Sequence, residues 1–436
     1  MEYDLEGLVS AVRGIADASF PDLGFLDSSG ELDIDAEVSR VQAVRVELQS
    51  TEFLHLGTIR LVTASEPPDA ASTELRVSSI WKGYGEHLSK KLVLDPEFDG
   101  TGFHTKKEQR PWLEIALDSP IDLRRIMIRN RPGPTARRAR GILVRVRTTD
   151  GRWITVYDGL VRANAFARSI EHIFGAVTDV SSTECGAASP LVAADLANLL
   201  ARLHLHDYAG PALARDLARI PISAEDQGRF RDLVSDSILY PRQLEWTGHG
   251  VKRSFRFWSR VEKAKYVAYA TELVDDLHEL TPNVCLGFGS VLAAVRDHDL
   301  IPHDDDLDIV VGFEPEEAPK IADALQLIAK HLRAKGYTVM GNNTAHRMIS
   351  RPPHRKVDVF VGIFENDQIA WYPASRSGLP RDVVFPPMTT DLLGAACAIP
   401  AKPEEYLQRV YGRSWSTPDR HFKHAGDRQA YADILR

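Results

Sequence analysis

The hydrophobic period changes several times along the chain. Leu5, Leu8, Val9, Val12 and Ile15 fall at helical spacing, which predicts a short amphipathic helix ended by Pro21. From about Val41 to Tyr157 the period drops to two. Val44, Val46 and Leu48 alternate with polar residues, as do Leu113, Ile115 and Leu117, and then Ile142, Val144 and Val146. Turn-forming stretches such as "SEPPDA", "LDSP", "RPGPTA" and "TTDG" separate these runs. Many short strands with regular turns predict an all-β sandwich or barrel. From about Pro190 to Leu280 the spacing is helical again. Leu196, Leu199, Leu200 and Leu203 form one stripe, and Arg260–Leu280 reads as a longer amphipathic helix. Strands and helices mix from there to the end. "SSTECGAASP", Ser181–Pro190, is small and polar and reads as a linker. The expected organisation is multidomain: an N-terminal helical extension over 1–40, a β-sandwich over 41–180, a linker and helical connector over 181–250, and an α/β domain over 251–436.

One stretch, "CLGFGSVLAAVRDHDLIPHDDDLDIVVGF", sets a run of aspartates between two apolar segments. Aspartate is a poor strand former and is almost never buried unpaired. "VCLGFG" reads as a short strand ending in a Gly287–Gly289 turn, with Ser290 as N-cap of the helix "SVLAAVR". A helix N-terminus offers free N–H groups and partial positive charge, which suits a phosphate. A second strand is expected from near Asp306 to about Val311. Alternate residues share a face, so Asp304, Asp306 and Asp308 point one way, each about 6.6 Å from the next, while Asp305 and Leu307 point the other way. Carboxylates this close repel unless a positive charge sits between them. A divalent cation is the natural partner, and Mg²⁺ is usually held by one or two carboxylates plus substrate phosphates. Acidic runs are more often solvated loops; the flanking apolar strands and the "GFGS" turn favour a metal platform here. Downstream, "VDVFV" carries Asp358 alone in an apolar strand, and a lone buried carboxylate needs a partner. That partner is either the same metal or a salt bridge to Lys356 or a nearby arginine.

"GFGSVLAAVRDHDLIPHDDDLDI" resembles the signature of the LicD/fukutin-type phosphotransferase family, which has the nucleotidyltransferase fold. "KVDVFVGIFE" resembles the family's second acidic strand. "VFPPMTTDLLGAACAIPAKPEEYLQRVYG" and "WSTPDRHFKH" resemble its later segments, in the same order. The likeness covers roughly Arg256 to His424, with departures at His303, where tryptophan is usual, and Ala293, where glycine is usual. The resemblance implies that Asp306, Asp308 and Asp358 are the metal ligands, with Asp304 a further ligand, a base or a cap. It implies Mg²⁺ or Mn²⁺ as cofactor. It implies transfer of a phospho-alcohol group, phosphocholine- or polyol-phosphate-like, from a CDP-type donor to a hydroxyl of a glycan or lipid-linked glycan. In that mechanism Gly289 and Ser290 would hold donor phosphate, and Arg296 would neutralise the diphosphate or anchor the strand. Two alternatives stay open: a nucleotidyltransferase that moves NMP, and an inactive carbohydrate-binding scaffold.

"PWLEIALDSPIDLRRIMIRNR" followed by "ARGILVRVRTTDGRWITVYDG" resembles a discoidin-type jelly-roll sandwich. Modules of that type often bind sugars through loops at one end, which makes Trp81, Tyr84, Phe103 and His104 candidate stacking residues. These aromatics could equally belong to the core.

Composition narrows the setting. Lys plus Arg is 53 against 61 for Asp plus Glu, a net charge of −8, so no global field favours nucleic acid. Cys185, Cys285 and Cys397 are too few and too scattered for a disulfide framework or a zinc cage. Cys285 reads as a small buried hydrophobe. "HLHD", His204–Asp207, reads as a helix end and the arginines of "RRARGILVRVR" as the solvated face of a strand. The N-terminus lacks the pattern of a signal peptide, and no apolar run approaches the ~18 residues of a membrane span. A cytoplasmic protein is expected, working at the inner face of the membrane where its acceptor is lipid-linked.

Overall fold

The computed structural model describes residues 3–64, 68, 73–82, 93–95, 97–175, 190–208, 212–341, 345–422, 424 and 426–435. The chain divides into two compact units, Met1–Arg242 and Gln243–Arg436. No helix among the described residues is long and apolar enough to cross a membrane.

The first unit is built on a seven-stranded sheet. Its two long strands, Glu31–Leu48 and Trp112–Asn130, pair antiparallel with register shifts between Asp35 and Ala43. Such bulges bend a strand and increase its twist. The bend lets Trp112–Asn130 pair with Thr73–Val77 in its first half and with His55–Thr63 in its second. Ile142–Thr148 and Trp153–Asp158 extend the other edge. The alternation read from the sequence is the packing: Val44, Val46, Leu48, Leu113, Ile115, Ile142, Val144 and Val146 lie in one buried cluster. A strand-rich unit of this kind is compatible with a β-sandwich. The first strand starts at Glu31, inside the stretch expected to be a helical extension.

A helix over Gly159–Gly175 follows the last strand directly, within the span assigned to the sandwich. Its apolar face is carried by Ala163, Phe166 and Ile170, which have helical rather than alternating spacing. Helices Leu5–Ser19, Pro190–His204, Ala212–Arg219 and Ala224–Val234 complete the unit. Of the four aromatic stacking candidates, Phe103 is fully buried in the core and cannot meet a ligand. Trp81 is exposed and packs edge-on against Phe53, with His104 beside it. Tyr84, the linker Ser181–Pro190 and Cys185 lie outside the described residues, save the backbone of Pro190.

The second unit centres on a six-stranded mixed sheet, ordered Val284–Leu286, Asp308–Phe313, Val357–Glu365, His346–Ser350 and Thr338–Met340, with Gln368–Ala370 also on Val357–Glu365. Asp308–Phe313 and Val357–Glu365 run parallel, in register from Asp308↔Asp358 to Phe313↔Ile363. Both faces are covered, so these strands read as continuous apolar runs. Ile309, Val310, Val359 and Val361 are wholly buried. Helix Arg260–His278 opens with a capping box between Ser259 and Glu262. Cys285 is buried here, as expected.

The first unit holds three histidines in neutral form. Burial, helped by nearby cations, pushes His55 down to about 3 and His204 and His206 down to about 4 from the usual 6.5. Between pH 6.5 and about 4 the unfolded chain therefore binds protons that the folded chain does not. Stability is present above that window and is lost as pH falls through it. In the folded protein the imidazole NMR resonances of His55, His204 and His206 should keep their neutral positions from pH 7 down to about pH 4.5; titration of any of them near 6.5 would contradict the neutral assignment.

Candidate active site

The acidic residues are set in place by backbone contacts. The Gly287 N–H donates to the Asp308 carbonyl at 2.9 Å, and the Asp308 N–H donates to Ser290 Oγ at 2.8 Å. The turn thus holds both backbone groups of the first strand residue. Gly287 has to be glycine, because a Cβ there would lie 2.3 Å from Val310 Cγ1. The helix begins at Phe288 with Gly287 as N-cap, so Ser290 sits within its first turn instead of capping it. Its hydroxyl oxygen is used on Asp308, and Ser290 is buried. The strand begins at Asp308, leaving Asp304 and Asp306 in the extended approach to it.

A cavity of about 530 Å³ opens over this region. Asp304, Asp306, Asp308 and Asp358 all line it, as do Gly289 and Arg296. Asp305, which precedes the strand, is engaged by the hairpin Glu245–Lys252. It accepts from Thr247 Oγ1 at 2.7 Å and from His249 Nδ1 at 3.1 Å. A Cβ on Gly289 would stand 3.0 Å from Asp304 Oδ2 and 3.9 Å from Asp308 Oδ2, so the bare backbone at Gly289 faces two carboxylates. Parallel register places Asp358 beside Asp308. Lys356 Nζ lies 3.4 Å from Asp306 Oδ2 and 3.3 Å from Asp358 Oδ1. His346 Nε2 is 3.5 Å from Asp358 Oδ2. Arg296 lines the cavity with its guanidinium engaged by the Asp297 carboxylate and the Trp415 carbonyl, so it anchors the segment around Trp415.

The electrostatics follow from burial and crowding. Burial, then the charge of Asp306, pushes Asp304 up to about 7. Burial and the charges of Asp306, Asp304 and Asp358 drive Asp308 far above the usual carboxylate range. Asp306 and Asp358 are raised chiefly by burial, against the opposing pull of His249 and Lys356. Burial would raise Asp305 too, but hydrogen bonding and charge from His249 hold it low. His249 in turn is pushed up to about 10, first by its hydrogen bond to Asp305.

Four carboxyls on one cavity, Asp306 and Asp358 buried and Asp304 and Asp308 half-buried, all held toward protonation, suit a hard divalent cation with oxygen ligands. Asp306, Asp308 and Asp358 are the residues placed to share it from two adjacent strands. A second grouping is present: ligand atoms of His249, Asp304 and Asp305 lie within 4.8 Å of one another. His249 and Thr247 come from the hairpin Glu245–Lys252, which the expected domain boundary at 251 would have cut. No spacing in "EWTGHGVK" announces their role, because the contact to Asp305 spans 56 residues.

Asp308→Asn should leave the fold intact and raise the stability of the metal-free protein, since it removes a carboxyl that burial and its acidic neighbours hold far above its usual range. Mg²⁺- or Mn²⁺-induced thermal protection should vanish in that variant. Undiminished protection would remove Asp308 from the ligand set. Gly289→Ala should also fold, with weaker protection, because its methyl presses on the Asp304 carboxylate. Thermal shift against metal concentration measures both.

No curated protein matches the chain. Residues 283–402 match the family model described as LicD/FKTN/FKRP, nucleotidyltransferase domain. That span, within the second unit, holds the Gly287–Ser290 turn, Asp304, Asp306, Asp308 and Asp358.

Proposed function

We propose that the protein is a divalent-metal-dependent transferase that moves a phospho-alcohol group from a CDP-type donor to a glycan hydroxyl. The observation that carries this reading is the convergence of Asp304, Asp306, Asp308 and Asp358 on one cavity. The match to the LicD family, which points to a transferase, agrees with it.

Asp306, Asp308 and Asp358 would hold the cation. When bound, Mg²⁺ or Mn²⁺ supplies positive charge to phosphate oxygens in an in-line displacement. The chain does the rest by positioning, which is most of what phosphoryl transfer asks of a protein. Gly287 and Ser290 fix the backbone of Asp308, so its carboxylate cannot drift from Asp358. Gly289 leaves room for a phosphate to approach Asp304 and Asp308. Arg296 tethers the Trp415 segment, and Trp246, Tyr411 and Trp415 wall the cavity against bulk water.

Product analysis separates this reading from nucleotidyl transfer by the same carboxylates. A panel of CDP-alcohols with sugar acceptors and Mn²⁺ should yield CMP, and Asp308→Asn should abolish it. Pyrophosphate released from CTP, with no CMP from any CDP-alcohol, would overturn phospho-alcohol transfer in favour of NMP transfer.

A further inference from the structure

The two sides of the acidic cluster are neutralised differently. On one side, the Lys356 ammonium bridges Asp306 and Asp358 at 3.4 and 3.3 Å. Both carboxylates are about 95% buried, at 5% and 6% exposure. On the other side, Asp304 and Asp308 face Gly289, and the strongest charges acting on Asp308 are those of its fellow carboxylates. Lys356 is delivered to its place by its backbone. It lies two residues before Asp358 and so shares its face. Its carbonyl accepts from the Tyr266 hydroxyl at 2.5 Å, and that hydroxyl oxygen itself accepts from the Leu307 N–H at 3.2 Å. One buried phenol thereby ties the start of the Asp358 strand to the backbone between Asp306 and Asp308. The lysine head is left between two acids and on the cavity wall.

Resting on the metal-dependent reading above, we propose that Lys356 is the resident counter-ion of the Asp306–Asp358 edge, and that a divalent cation bridging those two carboxylates enters by displacing its ammonium. Lys356 then does two opposed things. Without metal it offsets the repulsion of two buried acids, which would otherwise destabilise the unit. With metal it is a competitor, because ammonium and cation claim the same oxygens. It sets the metal concentration at which the site fills, and it is a positioning residue that acts through the carboxylates.

The experiment uses the full chain and Mn²⁺ alone, read by thermal unfolding and by the electron paramagnetic resonance of free Mn²⁺. Lys356→Met keeps the stem and removes the charge. It should lower the melting temperature of the metal-free protein and tighten the Mn²⁺ Kd by about tenfold or more, given the strength of a unit charge at contact distance. Lys356→Arg keeps the charge and should restore a Kd near that of the unsubstituted protein. A purely structural lysine predicts the reverse sign, with stability and Mn²⁺ affinity falling together. Unchanged or weaker Mn²⁺ binding in a folded Lys356→Met therefore overturns the proposal. Lys356→Gln, neutral but able to donate to both carboxylates, guards against a folding failure of the methionine variant. If neither folds without metal, rescue by Mn²⁺ supports the counter-ion role and lack of rescue overturns it. Failure of every variant and of the parent to bind Mn²⁺ overturns both this role and the metal-dependent reading. Mn²⁺ binding without CMP formation sinks the transferase reading alone.

Discussion

Repulsion among buried carboxylates is the constraint on which the second unit is organised. Parallel pairing of Asp308–Phe313 with Val357–Glu365 sets Asp308 beside Asp358, and the extended approach brings Asp304 and Asp306 to the same cavity. Isolated charges in such a place are strongly unfavourable. The surrounding contacts meet that penalty piece by piece. His249 and Thr247 hold Asp305, Lys356 spans Asp306 and Asp358, and the Asp308 backbone is fastened at both its N–H and its carbonyl.

Rigidity around the cluster comes from apolar packing behind it. The strand Asp308–Phe313 is buried on both faces, and Tyr266 reaches from helix Arg260–His278 to the backbone of both acid-bearing segments. Tyr406, from helix Pro403–Tyr411, accepts from the Phe288 N–H at 2.9 Å and so steadies the glycine turn. Aromatic rings continue along the cavity: His424 packs against Phe288, Tyr411 and Phe422. Burial alone pushes His424 down to about 4, so this wall is neutral at physiological pH. His424, Phe288, Tyr411 and Phe422 form an uncharged aromatic patch of the lining, with Asp419 and Arg420 on the same segment.

Period and chemistry together made much of this legible in one dimension. Alternation at Val44–Leu48, Leu113–Leu117 and Ile142–Val146 marked the strands of the first unit, because a half-buried strand must alternate. The helix Gly159–Gly175 is not marked in the sequence, since it follows the last strand without a break and the exposed Leu160, Val161 and Ile173 blur the apolar stripe of Ala163, Phe166 and Ile170. Phe103 shows the opposite limit: an aromatic in a loop-like stretch looks the same in sequence whether it stacks on a ligand or, as here, fills the core.

The sequence by itself determined which carboxylates need partners. A run of aspartates between apolar segments, and a lone aspartate in "VDVFV", demand them for reasons of solvation alone. Lys356 was among the partners the sequence offered Asp358; only the tertiary structure brought Lys356 to Asp306 and His249 to Asp305. Lys356 sits 50 residues from Asp306, and His249 approaches from a hairpin 56 residues before Asp305. Contacts between side chains that far apart in the chain depend on how the elements pack, and no local pattern encodes them. Packing also decided that Ser290 serves the Asp308 backbone, since the helix starts two residues before it and turns its hydroxyl toward the strand.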